Sequence, residues 1–320
     1  MAPAEAISLV VQPRGPPGKP VKKLPADTTV ALTDSTAELY KRLAAATGLS
    51  VHRLRLAKGS DGSVIPNSPK TTISETGLRQ RSNITVKDLG PQIAWRTVFL
   101  VEYAGPLLIH PLVYYLRDYI YPTPSLAPST LPEPTALQKL SLILVVLHFA
   151  KREFETIFVH RFSSATMPAF NIFKNSTHYW LLSGLNLAYF AYGPSKSEAA
   201  PWFTYLALAL YAVGELGNFN AHLVLKGLRP AHDPTARGIP KGLGFGWVTC
   251  PNYLFEVISW VAIWLVNAAI SKTSAISTAV FVIVAAAQMG AWAAKKERRY
   301  RTEFGAEYRR KKFVMLPGIF

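Results

Sequence analysis

GNFNAHLVLKGLRP, residues 217–230, follows PWFTYLALALYAVGEL, residues 201–216, an apolar run that reads as the inside of a membrane. An ionisable side chain at the bilayer centre costs about 2.5–3.5 kcal/mol on insertion scales, so such residues face a cavity or a partner. Asn218, His222, Leu225 and Arg229 are spaced by four, three and four residues, which on an α-helix makes one stripe. A stripe of this kind faces something polar.

The surrounding chain agrees with a membrane setting. Of its 320 residues 49% are hydrophobic and only 17% charged, against about 25% charged in soluble domains. Residues 1–90 are polar and mixed in charge, whereas residues 91–320 hold six apolar runs. Each is of about the 20-residue length that crosses hydrocarbon. They centre on RTVFLVEYAGPLLIHPLVYYL, ALQKLSLILVVLHFA, HYWLLSGLNLAYFAY, PWFTYLALALYAVGEL, YLFEVISWVAIWLVNAAI and SAISTAVFVIVAAAQMGAWAA. The second is short and is read as continuing amphipathically through Lys151–Val159.

The formal net charge of +16 is concentrated in the polar head and in KKERRYRTEFGAEYRRKK, residues 295–312. Positive-inside bias accounts for that better than nucleic acid does. MAPAEAISLVVQP lacks a basic start and a long apolar core, so it is no signal peptide. An even number of spans then leaves both termini in the cytosol. With Cys250 alone, no internal disulfide forms.

In the head, ISLVV, VKKLP, VHRLRLA and ITVKDL read as strand-like and STAELYKRLAAATG as a helix. Ser35 with Glu38 makes a capping box, and Gly48 stands at a helix C-cap. Strands around one helix in this order suggest a ubiquitin-like β-grasp. YPTPSLAPSTLPEPTA, residues 121–136, has five prolines and is a loop. GLGFG, residues 242–246, lacks the strand and helix that frame a dinucleotide-binding glycine motif and is read as a flexible cytosolic loop. The histidines show no metal-ligand spacing.

Two further polar sets stand at the ends of apolar runs. In CPNYLFEVISW, Asn252, Glu256 and Ser259 lie four and three apart; in HFAKREFETIFVHRF, His148, Arg152 and Glu155 share a face and Lys151 reaches Glu155. The tail adds Arg298, Tyr300, Arg301, Tyr308 and Arg309. Together these offer carboxylate, amides, guanidinium and phenols at one side of the membrane. A nucleotide with phosphates and a nicotinamide needs such groups.

GNFNAHLVLKGLRP, VTCPNYLFEVISW and RRYRTEFGAEYRRKKFVMLPGIF resemble the C-terminal region of the steroid 5α-reductase family. AKREFETIFVHRFSSATMPAFNIFKNSTHYW is similar to its very-long-chain trans-2-enoyl-CoA reductase branch, the last step of fatty acid elongation in the endoplasmic reticulum membrane. A ubiquitin-like head before the membrane part also resembles that branch. The resemblance implies that NADPH is gripped by Asn218, Arg229, Asn252, Glu256, Arg298 and Tyr308. His222 stands where the steroid reductases have an Asp.

It also implies that Lys151 and Tyr253 form the catalytic pair. Hydride goes to Cβ of the conjugated thioester and a proton from Tyr253 to Cα, with Lys151 favouring that transfer. The implied partners are a long-chain enoyl-CoA, membrane lipid and other elongation-cycle enzymes, with no nucleic acid and no metal. Two alternatives stand beside this reading. One is a steroid or sterol enone reductase on the same scaffold. The other is a non-enzymatic membrane scaffold whose head recruits partners and whose polar stripes only pack helices.

Overall fold

In the head, alternation of apolar and polar residues builds a sheet with one buried face. The computed structural model describes residues 6–15, 21–121, 131–162, 165–229 and 237–320. These divide into two compact units, Met1–Trp95 with Ser164–Asn171, and Arg96–Ser163 with Ile172–Phe320.

The first unit contains strands β1 (Ala6–Pro13) and β2 (Asp27–Ala31), helix α1 (Thr36–Thr47), and strands β3 (Leu54–Lys58), β4 (Val64–Ile65) and β5 (Asn83–Asp88). The sheet order is β2-β1-β5-β3-β4, with β1 and β5 parallel and the other pairs antiparallel. Leu9, Val30, Leu56, Ile84 and Val86 from the strands bury against Leu39 and Leu43 of α1. A separate pair, β6 (Gln92–Ala94) with β7 (Thr166–Pro168), completes the unit.

The second strand departs from the sequence reading. VKKLP lies outside any strand, and pairing with β1 begins at Asp27. Lys23 has φ 56°, a left-handed conformation that interrupts extended chain there. The capping box at α1 is half formed: Ser35 accepts from the Glu38 backbone N–H at 3.3 Å, while the Glu38 carboxylate pairs with Lys41 and Arg42. Gly48 is the left-handed C-cap.

The second unit is helical: α2 (Trp95–Tyr115), α3 (Arg117–Ile120), α4 (Ala136–Phe154), α5 (Asn171–Ser176), α6 (Leu187–Ala191), α7 (Pro201–Gly227), α8 (Pro251–Ile270) and α9 (Lys272–Phe304). π-Helical turns extend α4 through Glu155–Val159 and join α5 to α6 through Thr177–Asn186. A complete capping box that the sequence reading passed over, Thr135 with Gln138, starts α4. The proline-rich stretch before it lies largely outside the described residues.

Among the described residues, three helices are long and apolar enough to cross a membrane: Trp95–Tyr115, Pro251–Ile270 and Lys272–Glu307. Of the other three runs, the α4 run carries Lys139, Lys151, Arg152 and Glu153, and the third is interrupted by π-helical turns. Leu108, Leu112, Leu147, Leu216 and Ile283 expose large apolar side chains on helix faces, as lipid contact requires. Inside, polar groups at the far ends of the helices pair with one another. Ser141 donates to Asn267 at 2.7 Å, and Asn267 donates to Thr278 at 2.8 Å.

Helix α7 packs closely on α8, and glycine makes the approach possible. A Cβ on Gly214 would lie 2.3 Å from Ser259 Oγ and 2.5 Å from Ser259 N, and one on Gly217 would lie 2.4 Å from the Phe255 ring. Even alanine must therefore push the two helices apart.

Two predictions follow from the packing. Gly214→Ala is expected to overpack this seam at a cost of about 1–3 kcal/mol. Thermal unfolding in detergent should show a lowered midpoint; an unchanged midpoint contradicts the close approach. In the head, Arg53 donates twice to Asp88, at 3.0 and 2.5 Å, and holds that carboxyl below its ordinary value. Both side chains are about 30% exposed, so screening keeps the contribution to about 1 kcal/mol or less. A depressed carboxyl stabilises the fold above the unfolded-state pKa of about 3.9, and that stability is lost as pH falls through the lower folded value. Arg53→Ala should lower hydrogen-exchange protection of β5 at pH 6, and the gap to the parent should narrow below about pH 3. A gap independent of pH contradicts this.

Candidate active site

Three helices contribute side chains to one buried polar cluster. On α4, His148 and Lys151 are three residues apart; on α7, Glu215 and Asn218 are likewise three apart; α8 supplies Glu256. Residues at this spacing project from the same helix face. The α7 and α8 seam at Gly214 and Gly217 brings the last three within reach of each other.

The five side chains close a ring. Lys151 Nζ donates to Glu215 Oε2 at 2.8 Å and to Asn218 Oδ1 at 2.6 Å. Glu215 Oε1 lies 2.7 Å from His148 Nδ1, and His148 Nε2 lies 3.2 Å from Glu256 Oε1. Asn218 Nδ2 completes the circuit by donating to Glu256 Oε2 at 3.0 Å and also to the Asn252 carbonyl at 2.9 Å. With both carboxylates ionised and so able only to accept, an imidazolium with hydrogen on both nitrogens satisfies the two contacts of His148. Two cations then balance two carboxylates, and the buried charges are paired as burial demands.

A second group adjoins it through Lys151, whose Nζ is 3.5 Å from Glu155 Oε1. Arg152 donates to Glu155 at 2.7 Å and to the Tyr103 hydroxyl at 2.9 Å. His222 Nδ1 lies 3.0 Å from Glu155 Oε1. Ligand atoms of Glu155, His160 and His222 all fall within 4.8 Å of one another. The Arg152 guanidinium lies 3.4 Å from His222 Nδ1 and 2.7 Å from Glu155 Oε2 beside them.

The residues singled out in the sequence fall into separate places. Lys151, Asn218 and Glu256 belong to the ring, Asn252 joins by its backbone carbonyl, and His222 belongs to the Glu155 group. Arg229, beyond the end of α7, donates to the Arg161 carbonyl at 2.7 Å. Burial, and after it the like charges of Arg237 and Arg299, push the Arg229 guanidinium below its ordinary value. Arg298 is exposed and reaches only the Ala294 carbonyl, at 3.5 Å, among the described residues; it is Arg299, one position on, whose charge bears on Arg229. Tyr308 is buried and donates to Glu297 Oε2 at 2.5 Å, an oxygen that also accepts from Thr249 at 2.6 Å.

Tyr253 sits one turn before Glu256 on α8. Its ring packs toward Cys250, Met289, Ala293 and Met315, with Trp292 6.3 Å away. No hydrogen bond joins it to Lys151 among the described residues. GLGFG forms turns leading into α8 with no strand immediately before them among the described residues, and a Cβ on Gly244 would strike Pro251 at 2.6 Å.

Sequence reasoning placed Arg152 and Lys151 with Glu155, as the structure has them, but named no partner for His148 and missed Glu215 and Glu102. Glu102 is 1% exposed on α2, and its Oε2 has no hydrogen-bond partner among the described residues. A lone carboxylate inside the runs VEYAG and VGELG was the available signal for both glutamates. The cavities lined by Tyr121, Ser195, Ile270 and Thr273 and by Leu182, Ile276 and Val280 contain none of these residues.

A polytopic helical unit with charged residues paired at one end of its helices defines the class: an α-helical membrane protein with a buried ionic site. Residues 165–320 match the model of the 3-oxo-5-alpha-steroid 4-dehydrogenase family. A very-long-chain enoyl-CoA reductase of Dictyostelium discoideum is 40% identical over 303 residues, 93% of this chain and 96% of that protein. A putative enoyl reductase of Schizosaccharomyces pombe is 41% identical, over 94% of this chain and 96% of that protein. A probable very-long-chain enoyl-CoA reductase of Caenorhabditis elegans is 36% identical over 79% of this chain and 81% of its own length. The chain belongs to the very-long-chain enoyl-CoA reductase family.

The ring predicts an asymmetry at Glu256. Glu256→Leu leaves the imidazolium and one N–H of the Asn218 amide without their carboxylate acceptor, and breaking a buried pair in this way costs about 3–5 kcal/mol. Glu256→Gln keeps an acceptor oxygen and should lose less. Thermal unfolding of the two variants measures it, and equal midpoints contradict the ring.

Proposed function

We propose that the protein reduces long-chain trans-2-enoyl-CoA to the saturated acyl-CoA with NADPH, as the last step of very-long-chain fatty acid elongation. Residues 91–320 are the catalytic domain, crossing the endoplasmic reticulum membrane six times with both termini cytosolic. Residues 1–90 are a ubiquitin-like docking head that meets other elongation-cycle enzymes. The observation that carries the chemistry is the ring, which sets an ammonium donor among groups suited to a nicotinamide nucleotide. The names of the relatives support the substrate class.

The residues present fit NADPH. Asn218, Asn252 and Glu256 offer amides and a carboxylate where α7 passes the start of α8. Arg229 stands near Arg237 and Arg299, both of which pair with Glu303 at 3.4 and 3.0 Å, and guanidinium forks match phosphate. Glu297, on the same helix as Arg299, keeps Oε1 buried without a hydrogen-bond partner among the described residues, an acceptor for a ribose hydroxyl. His222, Arg298 and Tyr308 complete the proposed cofactor set. Tyr308 acts there through its bond to Glu297.

The chemistry the nicotinamide supplies when bound is hydride donation to Cβ of the conjugated thioester. Negative charge then develops on the thioester oxygen, and a preorganised donor is needed there. Lys151 has three N–H groups, of which two are committed to Glu215 and Asn218. The third has only Glu155 Oε1 nearby, at the longer distance of 3.5 Å, and is the one that turns to meet that oxygen. Tyr253, a phenol of unperturbed pKa about 10, is protonated at neutral pH and gives the proton to Cα. The acyl chain lies against apolar helix faces, where each buried methylene contributes about 0.8 kcal/mol.

The test is NADPH consumption by the purified protein with a series of long enoyl-CoAs. General acid catalysis contributes about 10²–10⁴-fold, so Tyr253→Phe should lose at least 100-fold in kcat. NADPH-dependent thermal stabilisation should survive in that variant. Activity with a steroid enone alone favours the other reductase reading. No stabilisation by NADPH in the parent favours the scaffold.

A further inference from the structure

The ring contains two residues that the proposed chemistry does not use, Glu215 and His148. Both are almost wholly enclosed, with side chains 11% and 2% exposed. Neither meets lipid or water in quantity, and each touches two ring members of opposite charge. Glu215 has one oxygen on Lys151 and the other on His148; His148 has one nitrogen on Glu215 and the other 3.2 Å from Glu256.

This arrangement fixes more than charge. Asn218 receives Lys151 at Oδ1 while its amide donates to Glu256, so the positions of the ammonium and of Glu256 are set together. Without Glu215, Lys151 would retain Asn218 and the more distant Glu155, and its flexible four-carbon stem could swing toward the latter. Without His148, the two carboxylates would face each other across the ring with no cation between them.

We propose that Glu215 and His148 are positioning residues, which hold the Lys151 ammonium and the Glu256 carboxylate in a single closed ring at the reacting end of the site. This rests on the reductase reading. The ring keeps two of the three Lys151 N–H groups occupied, and so aims the third. His148 transmits the position of α8, through Glu256, to Glu215 and thence to Lys151.

Substitutions at Glu215 separate reach from charge. Glutamine has the same reach: its amide oxygen accepts from Lys151, and its NH2 donates to a neutral His148 that still donates to Glu256. One positive and one negative charge then remain in the ring. Aspartate keeps the charge but withdraws the carboxylate by one C–C bond, about 1.5 Å. Alanine removes both.

The experiment measures kcat, the KM for NADPH and NADPH-induced thermal stabilisation for the parent, Glu215→Gln, Glu215→Asp and Glu215→Ala in detergent, with one long enoyl-CoA. Positioning predicts that alanine lowers kcat at least 30-fold while KM for NADPH stays within threefold. Glutamine should restore kcat to within about fivefold of the parent, and aspartate should fall below glutamine. Should the alanine variant not fold, the order of glutamine over aspartate decides by itself. Aspartate equal to or better than glutamine overturns the proposal, as does alanine at the parent's kcat, or a loss confined to KM for NADPH. An inactive parent that NADPH does not stabilise overturns the reductase reading instead.

Discussion

The pairing of Lys151 with Glu215 and Asn218 is the contact on which the rest of the helical unit depends. Three charged groups and an imidazole are taken out of water between three helices, and removing one partner of such a set leaves an uncompensated charge. Their mutual geometry therefore constrains where α4, α7 and α8 lie. Gly214 and Gly217 let α7 approach α8 closely enough for Asn218 to reach both Glu256 and the Asn252 carbonyl. Bulkier residues at either position would open the ring by holding α7 and α8 apart.

Away from the ring the helices use gentler means. Trp260 packs at 4.4 Å from Phe281 and 4.9 Å from His148, and its Nε1 lies 3.4 Å from Glu256 Oε1, so aromatic packing joins the ring to the apolar core. Further along, Ser141, Asn267 and Thr278 pair across helices without charge. Such neutral interhelical bonds are individually modest. The unit thus grades from ionic pairing at one end, through aromatic packing, to neutral hydrogen bonding.

Much of this was legible in the chain, for a physical reason. Polar residues inside apolar runs are costly, so Asn218, His222, Asn252 and Glu256 stood out by helical spacing alone. Partner choice did not. His148 lies on one face with Glu155, and only the third dimension shows that Glu215 and Glu256 take both its nitrogens. Arg298 and Arg299 are adjacent in sequence, and helix rotation decides that the second faces Arg229. In the head, periodicity located β1, β3, β5 and α1, while Lys23 at positive φ displaced the second strand from VKKLP to Asp27–Ala31. Half of the capping box at Ser35 was lost because Glu38 found Lys41 and Arg42 instead.

The most direct test of the account is an experimental structure of the purified protein with NADPH. The account predicts the nicotinamide end beside Asn218, Asn252 and Glu256, the phosphates among Arg229, Arg237 and Arg299, and Lys151 still bonded to Glu215. NADPH bound elsewhere, or His148, Glu215 and Glu256 turned apart into unrelated seams, would contradict it.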